Sequence, residues 1–260
     1  MFDYHMHSKL SFDTDSEPRD LLAAAEAMGL REICFTDHYD YHFTPEETPD
    51  LFTCADYAAA YDTLRSDKLL IRRGVEYGLT VWNQRELDEL LAQRKFDFVI
   101  GSVHYAKGYD PYFKEFWAAN SAETAFLDYL LETLRCVKAH QNFDVLGHLN
   151  YVCKSEHNPT HKPLYYEDFR DLSDEIMKHL AESGKGMEVN TSGVDRVGDF
   201  LPSKAFLKRF RELGGEIVTI GSDAHTADRV GQYTREAAEM VKDIFGYVCT
   251  FADRKPIFHK

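Results

Sequence analysis

The sequence of 260 residues has no long hydrophobic run and is short of basic residues. No apolar stretch approaches the roughly 18 residues that a membrane span needs. Lysine and arginine together number 30 against 44 aspartates and glutamates, which gives a formal net charge of −14. Nucleic acids and anionic lipid surfaces are bound through clusters of positive charge. The composition therefore disfavours nucleic acid and membranes as partners, whereas one local cation suffices for a small anionic substrate.

Cysteine and targeting signals are also scarce. The five cysteines are widely separated, and no two of them form a C-x-x-C pair. The first five residues carry neither the basic patch nor the apolar stretch of a signal peptide. We therefore expect reduced thiols and a cytoplasmic protein.

The glycine-rich signatures of nucleotide-binding open sheets are missing. Neither G-x-G-x-x-G after the first strand nor G-x-x-x-x-G-K-[ST] occurs. Short apolar runs alternate instead with amphipathic ones in about seven strand-then-helix units, a pattern typical of a parallel sheet with helical crossovers. Such a run without a break predicts a single α/β domain over residues 1–260, built as a closed or nearly closed barrel. An open, doubly wound sheet is the alternative.

The predicted elements have these bounds. Strands are predicted at 2–6, 32–36, 70–76, 98–103, 144–148, 186–190 and 216–222. Helices are predicted at 17–28, 55–66, 85–94, 121–140, 167–183, 203–213 and 235–245. Ser16 is the predicted N-cap of the first helix. Long loops are expected at 44–53, 105–120 and 150–166, and loops of this length in a compact domain are often functional.

The sequence is rich in histidine, with 12 residues, and several lie beside acids at the C-terminal ends of predicted strands. His5 and His7 are two residues apart, so on a strand both imidazoles point to the same face. All but one of the predicted strands carry a histidine or an acid at or just past this end. The set comprises His5, His7, Asp13, His38, Glu76, His104, His148, Asp223 and His225. In a (β/α) barrel these strand ends converge on one face, where such folds keep their chemistry.

A cluster of histidines and acids of this kind predicts bound metal ions. Without metal, neighbouring carboxylates repel one another and imidazoles need other partners. The candidate ligands exceed what one tetrahedral site uses, so the pattern predicts two or three divalent ions with a bridging carboxylate. Mixed nitrogen and oxygen ligands suit zinc, manganese and iron alike. The remaining histidines, in helices, loops and the tail, are weaker candidates.

The succession H-x-H, T-D-H, a glutamate, G-S-V-H, G-H and S-D-A-H resembles the PHP (polymerase and histidinol phosphatase) family of metal-dependent phosphoesterases. The resemblance runs from residue 3 to residue 225. The segments 100–105, 144–149, 188–193 and 213–225 look like histidinol phosphatase sequences. The resemblance implies a distorted (β/α)7 TIM-like barrel that hydrolyses L-histidinol phosphate to L-histidinol and phosphate in histidine biosynthesis.

The resemblance also implies which residues hold each metal ion. The first ion would be held by His5, His7, Glu76 and Asp223; the second by Glu76, His104 and His148, with Glu76 bridging; and the third by Asp13, His38 and His225. Asp15, two residues after Asp13, is the alternative ligand for the third ion.

The mechanism expected from such a centre is attack on phosphorus by a metal-bridging hydroxide. We predict Glu76, Asp223 and His225 as the catalytic residues, with Asp223 orienting the hydroxide. Arg196 and Lys154 are the candidates for contact with the phosphate, since guanidinium and ammonium groups both suit that anion. A solvated surface charge is the alternative for each of these two residues.

Two positions depart from the family pattern. Asp195 stands where the family usually has an arginine, and Asn150 stands where related sequences often carry an aspartate. Two other functions compete with histidinol phosphate hydrolysis. The first is a PHP phosphoesterase that acts on another small phosphate ester or a nucleotide. The second is a non-catalytic metal-binding barrel, against which the complete ligand set argues.

Overall fold

The computed structural model describes residues 1–260, except for the side chains of residues 122 and 123. The strands are β1 (Phe2–Asp3), β2 (Glu32–Phe35), β3 (His38–Asp40), β4 (Leu70–Gly78), β5 (Phe98–Ser102), β6 (Val145–Leu146), β7 (Gly186–Asn190), β8 (Val218–Gly221), β9 (Val248–Ala252) and β10 (Lys255–His259). The helices are α1 (Pro18–Ala27), α2 (Cys54–Tyr61), α3 (Gln84–Gln93), α4 (Lys114–Ala119), α5 (Ala122–Ala139), α6 (Arg170–Glu182), α7 (Val194–Val197), α8 (Lys204–Glu212) and α9 (Thr234–Phe245).

The main sheet is parallel, and its strands follow chain order. Its path is β1-β2-β4-β5-β6-β7-β8, and β3 lies beside the last part of β4. β2 pairs with residues 70–73 of β4 and β3 pairs with residues 76–78. The two short strands therefore act as one barrel strand that is interrupted at Thr36 and Asp37.

Backbone hydrogen bonds join the first and last segments of this sheet. The His7 amide donates to the Ala224 carbonyl at 2.8 Å, and the Asp223 amide donates to the His5 carbonyl at 2.8 Å. The predicted (β/α)7 TIM-like barrel is therefore confirmed as nearly closed, and the open-sheet alternative is wrong. This closure places the segment that carries His5 and His7 directly beside the segment that carries Asp223.

The first helix begins differently from the prediction. The N-cap residue is Glu17 rather than Ser16, and Pro18 opens the helix, where its missing N–H costs nothing. The Ser16 hydroxyl donates instead to the His225 carbonyl at 2.7 Å. The loop before α1 is therefore fastened to the loop after β8, at the same end of the barrel as the predicted ligands.

Several elements are absent from the sequence-based prediction. They are β3, α4 within the expected loop at 105–120, the short α7, and the antiparallel hairpin of β9 and β10. The hairpin follows the last predicted helix and packs Phe251 against Phe98, with the ring centroids 4.8 Å apart. Tyr4 joins this small apolar cluster. The hairpin thus covers apolar side chains at the start of β5, away from the predicted ligands.

The apolar core lies between the sheet and the helices. In α8, for example, Phe206, Leu207 and Phe210 are fully buried, and burying each such side chain contributes about 1.5–3 kcal/mol. All five cysteines are free thiols. Within the described part of the chain, no helix combines the length and apolar character needed to cross a bilayer.

Candidate metal centre

Glu76, on β4, is fully buried at the centre of the predicted cluster. Its Oε1 lies 2.8 Å from His148 Nε2 and 3.4 Å from His104 Nε2, and its Oε2 lies 3.1 Å from His5 Nε2, 3.4 Å from His7 Nε2 and 3.1 Å from His38 Nδ1. The Ser102 hydroxyl also donates to Oε1 at 2.6 Å. One carboxylate thus contacts imidazoles from all three predicted ligand groups, which is the arrangement that a bridging ligand requires.

The surrounding histidines stabilise the ionised form of Glu76. Burial by itself raises the pKa of a carboxyl group, because the charged form loses its hydration. The positive charges of His5, His38 and His104 outweigh burial and hold the pKa of Glu76 well below its usual range. Glu76 is therefore an anion available to cations at neutral pH.

Glu188 is a buried carboxylate that the sequence analysis leaves unassigned. It lies on β7, the predicted strand without a ligand, and shares an inward face with Asn190 because strand side chains alternate. Its Oε1 lies 2.6 Å from His5 Nδ1, and its Oε2 accepts from the His148 amide at 2.8 Å. Glu188 therefore orients two candidate ligands from behind. An acid between the apolar residues Met187 and Val189 of a fully buried strand is the signal that identifies it.

Asp40 is the second acid that the sequence analysis leaves unassigned. It follows His38 by two residues on β3, so both side chains lie on one face of the strand. Its Oδ2 lies 2.9 Å from His104 Nδ1 and 3.5 Å from His38 Nδ1. A carboxylate on the second ring nitrogen fixes the orientation of a metal-binding histidine, and Asp40 occupies that position beside the candidate ligand His104.

Asp13 lies between the other two histidines of its predicted group. Its Oδ2 is 2.9 Å from His225 Nε2 and 3.6 Å from His38 Nε2. Burial raises the pKa of Asp13, but these two imidazoles outweigh it and lower the pKa below its usual range. The Asp15 carboxylate, by contrast, forms no such pair in the part of the chain that the structure describes. The geometry thus favours Asp13 over Asp15.

Asp223 lies in the loop after β8 and has a positive φ of 57°, a conformation that costs a non-glycine residue about 1 kcal/mol or more. Its Oδ1 lies 3.3 Å from His7 Nε2, and its Oδ2 accepts from Lys154 Nζ at 2.6 Å. Although burial opposes ionisation, Lys154 and His5 hold the pKa of Asp223 well below its usual range. The loop conformation thus aims a charged carboxylate into the cluster.

Buried atoms without hydrogen-bond partners show that these residues fit metal ions. Among the described residues, His5 Nε2, His7 Nε2, His38 Nδ1 and Glu76 Oε2 are buried and unpartnered. The candidate ligand atoms fall into four groups, each within 4.8 Å: His7, His38 and His225; His5, Glu76 and His148; His5, His7 and Asp223; and His38, Asp40 and His104. Native proteins rarely leave such atoms unsatisfied. Divalent cations satisfy lone pairs of this kind, so the cluster suits metal binding.

A cavity of about 740 Å³ opens over the cluster, a size that suits a small molecule. Its lining includes Lys154 and Arg196, the two cations predicted to contact phosphate, and also Arg229. Arg229 is paired with Asp195 at the cavity wall. The sequence gives no signal for Arg229, because it comes from a loop whose path depends on the closed barrel.

Comparison with known proteins supports the resemblance. The model of the PHP domain family matches residues 3–192. The chain belongs to the PHP family. A histidinol-phosphatase of Lactococcus lactis subsp. lactis is 32% identical to this PHP chain, covering 97% of it and 95% of the relative. A probable histidinol-phosphatase of Clostridium acetobutylicum is 29% identical, covering 99% and 96%.

Solved structures match the PHP chain as well. The crystal structure of histidinol phosphate phosphatase from Lactococcus lactis, complexed with zinc, L-histidinol and phosphate, has a TM-score of 0.87 at 30% identity and covers 98% of both chains. A chain in the structure of archaeal ribonuclease P with mature tRNA has a TM-score of 0.53 at 11% identity, covering 94% of this chain and 82% of its own. The second match shows a shared fold alone.

Proposed function

We propose that this PHP protein hydrolyses L-histidinol phosphate to L-histidinol and phosphate, as a step of histidine biosynthesis. The observation that carries this proposal is one buried carboxylate, Glu76, which five imidazoles contact. Three of those imidazoles, His38, His104 and His148, line a cavity of small-molecule size. The similarity to histidinol-phosphatases along nearly the whole chain supports this substrate over other phosphate esters. We further propose that residues 1–260 form one phosphoesterase domain.

The proposed centre holds two or three divalent ions, with zinc, manganese and iron as candidates. Zinc is favoured because the relative from Lactococcus lactis contains it. The proposed ligands are His5, His7, Glu76 and Asp223 for one ion, Glu76, His104 and His148 for the second, and Asp13, His38 and His225 for the third. When bound, such ions lower the pKa of water and screen the charge of phosphate.

The proposed catalytic side chains have distinct tasks. Asp223 directs Oδ1 into the cluster and orients the attacking water. The backbone carbonyl of Asp223 lies 2.9 Å from His225 Nδ1. Because a carbonyl oxygen can only accept, Nδ1 carries the hydrogen, and the other ring nitrogen of His225, Nε2, faces Asp13. Glu76 supplies the negative charge that the imidazoles share. Lys154 and Arg196 both line the cavity, and their positive charges attract the phosphate.

The proposed reaction is tested by phosphate release from L-histidinol phosphate, with a nucleoside monophosphate as a parallel substrate and protein of measured metal content. We expect fast release from histidinol phosphate alone, abolished by a chelator and restored by Zn²⁺. Release from the nucleotide alone would instead favour the other phosphoesterase function. No release from either substrate by protein that holds two or three ions would contradict the assignment and favour the non-catalytic barrel.

The two predicted phosphate-binding residues are expected to differ in their kinetic effects. Arg196→Met should raise KM about tenfold with little change in kcat, because removal of an exposed cation weakens binding of ground state and transition state alike. Lys154→Met should raise KM and also lower kcat, because Lys154 Nζ bonds Asp223 at 2.6 Å. Lys162→Met, at an exposed loop position, serves as the control. Unchanged steady-state parameters would remove either residue from the site.

A further inference from the structure

The Ser11 hydroxyl lies behind His7, on the side of the ring that faces away from Glu76. Ser11 is 3% exposed. Its Oγ contacts His7 Nδ1 at 3.1 Å, the His38 amide at 3.0 Å and Asp37 Oδ1 at 3.1 Å. A hydroxyl has one proton to donate and two lone pairs with which to accept. These three contacts therefore use the whole capacity of Ser11.

Asp37 determines the direction of each bond to Ser11. Asp37 Oδ1 already accepts from the Ser8 amide at 2.6 Å, so this oxygen acts as an acceptor and receives the Ser11 proton. The His38 amide can only donate. With its single proton on Asp37, the Ser11 oxygen must also accept from His7. The Nδ1 atom of His7 therefore carries a hydrogen.

The second carboxylate oxygen of Asp37 extends this hydrogen-bond network to Tyr61 and Ser8. Asp37 Oδ2 accepts from the Tyr61 hydroxyl. Since the Tyr61 proton is committed to Asp37, the Ser8 hydroxyl, 2.7 Å away, donates to Tyr61. Asp37, Tyr61 and Ser8 are all at most 1% exposed. Every hydroxyl proton in this buried network is thus directed toward Asp37.

We propose that Ser11 and Asp37 form a relay that holds His7 in its Nδ1–H tautomer. His7 Nε2 then presents its lone pair toward Glu76 Oε2 and Asp223 Oδ1, at 3.4 and 3.3 Å. This nitrogen is buried and has no hydrogen-bond partner among the described residues, as a metal ligand requires. Ser11 and Asp37 are positioning residues, and the inference rests on the proposed metal centre.

Two other histidines show what is distinctive about His7. His5 Nδ1 lies 2.6 Å from Glu188, and His104 Nδ1 lies 2.9 Å from Asp40. Those rings have a carboxylate directly behind them, whereas His7 reaches its carboxylate through a hydroxyl. The tautomer of His7 therefore depends on one proton of Ser11, and removal of that hydroxyl leaves Nδ1 without its acceptor.

The relay is tested by imidazole ¹⁵N NMR of the metal-free protein and by Zn²⁺ titration against a competing chelator. The His7 signals are assigned by their loss in His7→Asn. We expect Nδ1–H in the wild type, a shift toward Nε2–H in Ser11→Ala, and affinity for one Zn²⁺ weaker by about 10–100-fold in that variant. Thr133→Val removes a buried hydroxyl that bonds the Tyr129 carbonyl and should change neither readout.

Different results would overturn the relay and the metal centre. A hydrogen on Nε2 of His7 in the wild type would disprove the relay, without need of any variant. Wild-type Zn²⁺ affinity in a folded Ser11→Ala protein would also disprove it. Failure of the wild type to bind Zn²⁺ would overturn zinc binding at the proposed centre instead, while the NMR spectrum of His7 would still decide the tautomer.

Discussion

Glu76→Gln is expected to lower kcat on L-histidinol phosphate by about 10³-fold. The substitution keeps the size of the side chain but replaces one carboxylate oxygen by an NH₂ group, which donates hydrogen bonds and presents no lone pair to a cation. Five imidazoles then lose the anion that they share. Steady-state kinetics and elemental metal analysis together check this prediction, and we expect the metal content to fall with the activity.

Glu26→Gln is the matched control for this experiment. The Glu26 carboxylate bonds Lys68 and Ser66, away from the cavity. Solvent-exposed ion pairs of this kind contribute little to stability, so kcat and metal content should stay at wild-type values. If Glu76→Gln behaved like this control, Glu76 would have no bridging role and the proposed centre would have to be redrawn.

Gly221→Ala is expected to damage both stability and activity. A Cβ at Gly221, the last residue of β8, would lie 2.2 Å from His5 Cβ and 2.4 Å from Glu188 Oε1. Overpacking of this kind costs about 1–3 kcal/mol, which corresponds to a decrease in Tm of about 2–12 °C for a chain of this size. Because His5 and Glu188 must move apart, kcat should fall by about 10-fold or more. Calorimetry and steady-state kinetics measure the two effects.

Gly215→Ala separates the loss of stability from the effect on the site. Its Cβ would lie 2.5 Å from the Phe210 ring, on the helical side of the barrel. We expect a comparable decrease in Tm with kcat preserved at a temperature where the variant is folded. A Gly221→Ala protein with wild-type kcat would show that the spacing of His5 and Glu188 does not limit catalysis.

The order of strands and helices is predictable from the sequence, because apolar runs of different period alternate along the chain. Even β6, with only two residues, is located by the apolar pair Val145 and Leu146. The hairpin of β9 and β10 is missed, since it depends on apolar neighbours supplied by β5. β3 is missed because its pairing with β4 resumes only after the interruption at Thr36 and Asp37.

The candidate ligands are predictable because they follow strand ends, a position that sequence reveals. The residues that contact the second ring nitrogen of these ligands are not predictable, because their role depends on which histidine the fold places next to them. Glu188 meets His5 across 183 positions of sequence, and Asp40 meets His104 across 64. No local pattern links such partners. Ser11 is similarly unremarkable in sequence, and only the three contacts of its hydroxyl reveal its position behind His7.

The hydrogen bonds that close the barrel bear on when the proposed metal centre is completed as the chain folds. The first proposed site takes His5 and His7 from one end of the sheet and Asp223 from the other, far later in the sequence. The third proposed site likewise depends on His225. A partly synthesised chain that lacks residues 223–225 therefore offers each of these two sites without one of its ligands. Both ligand sets become complete only when the Asp223 amide reaches the His5 carbonyl, so closure of the barrel and completion of the two proposed sites are one event.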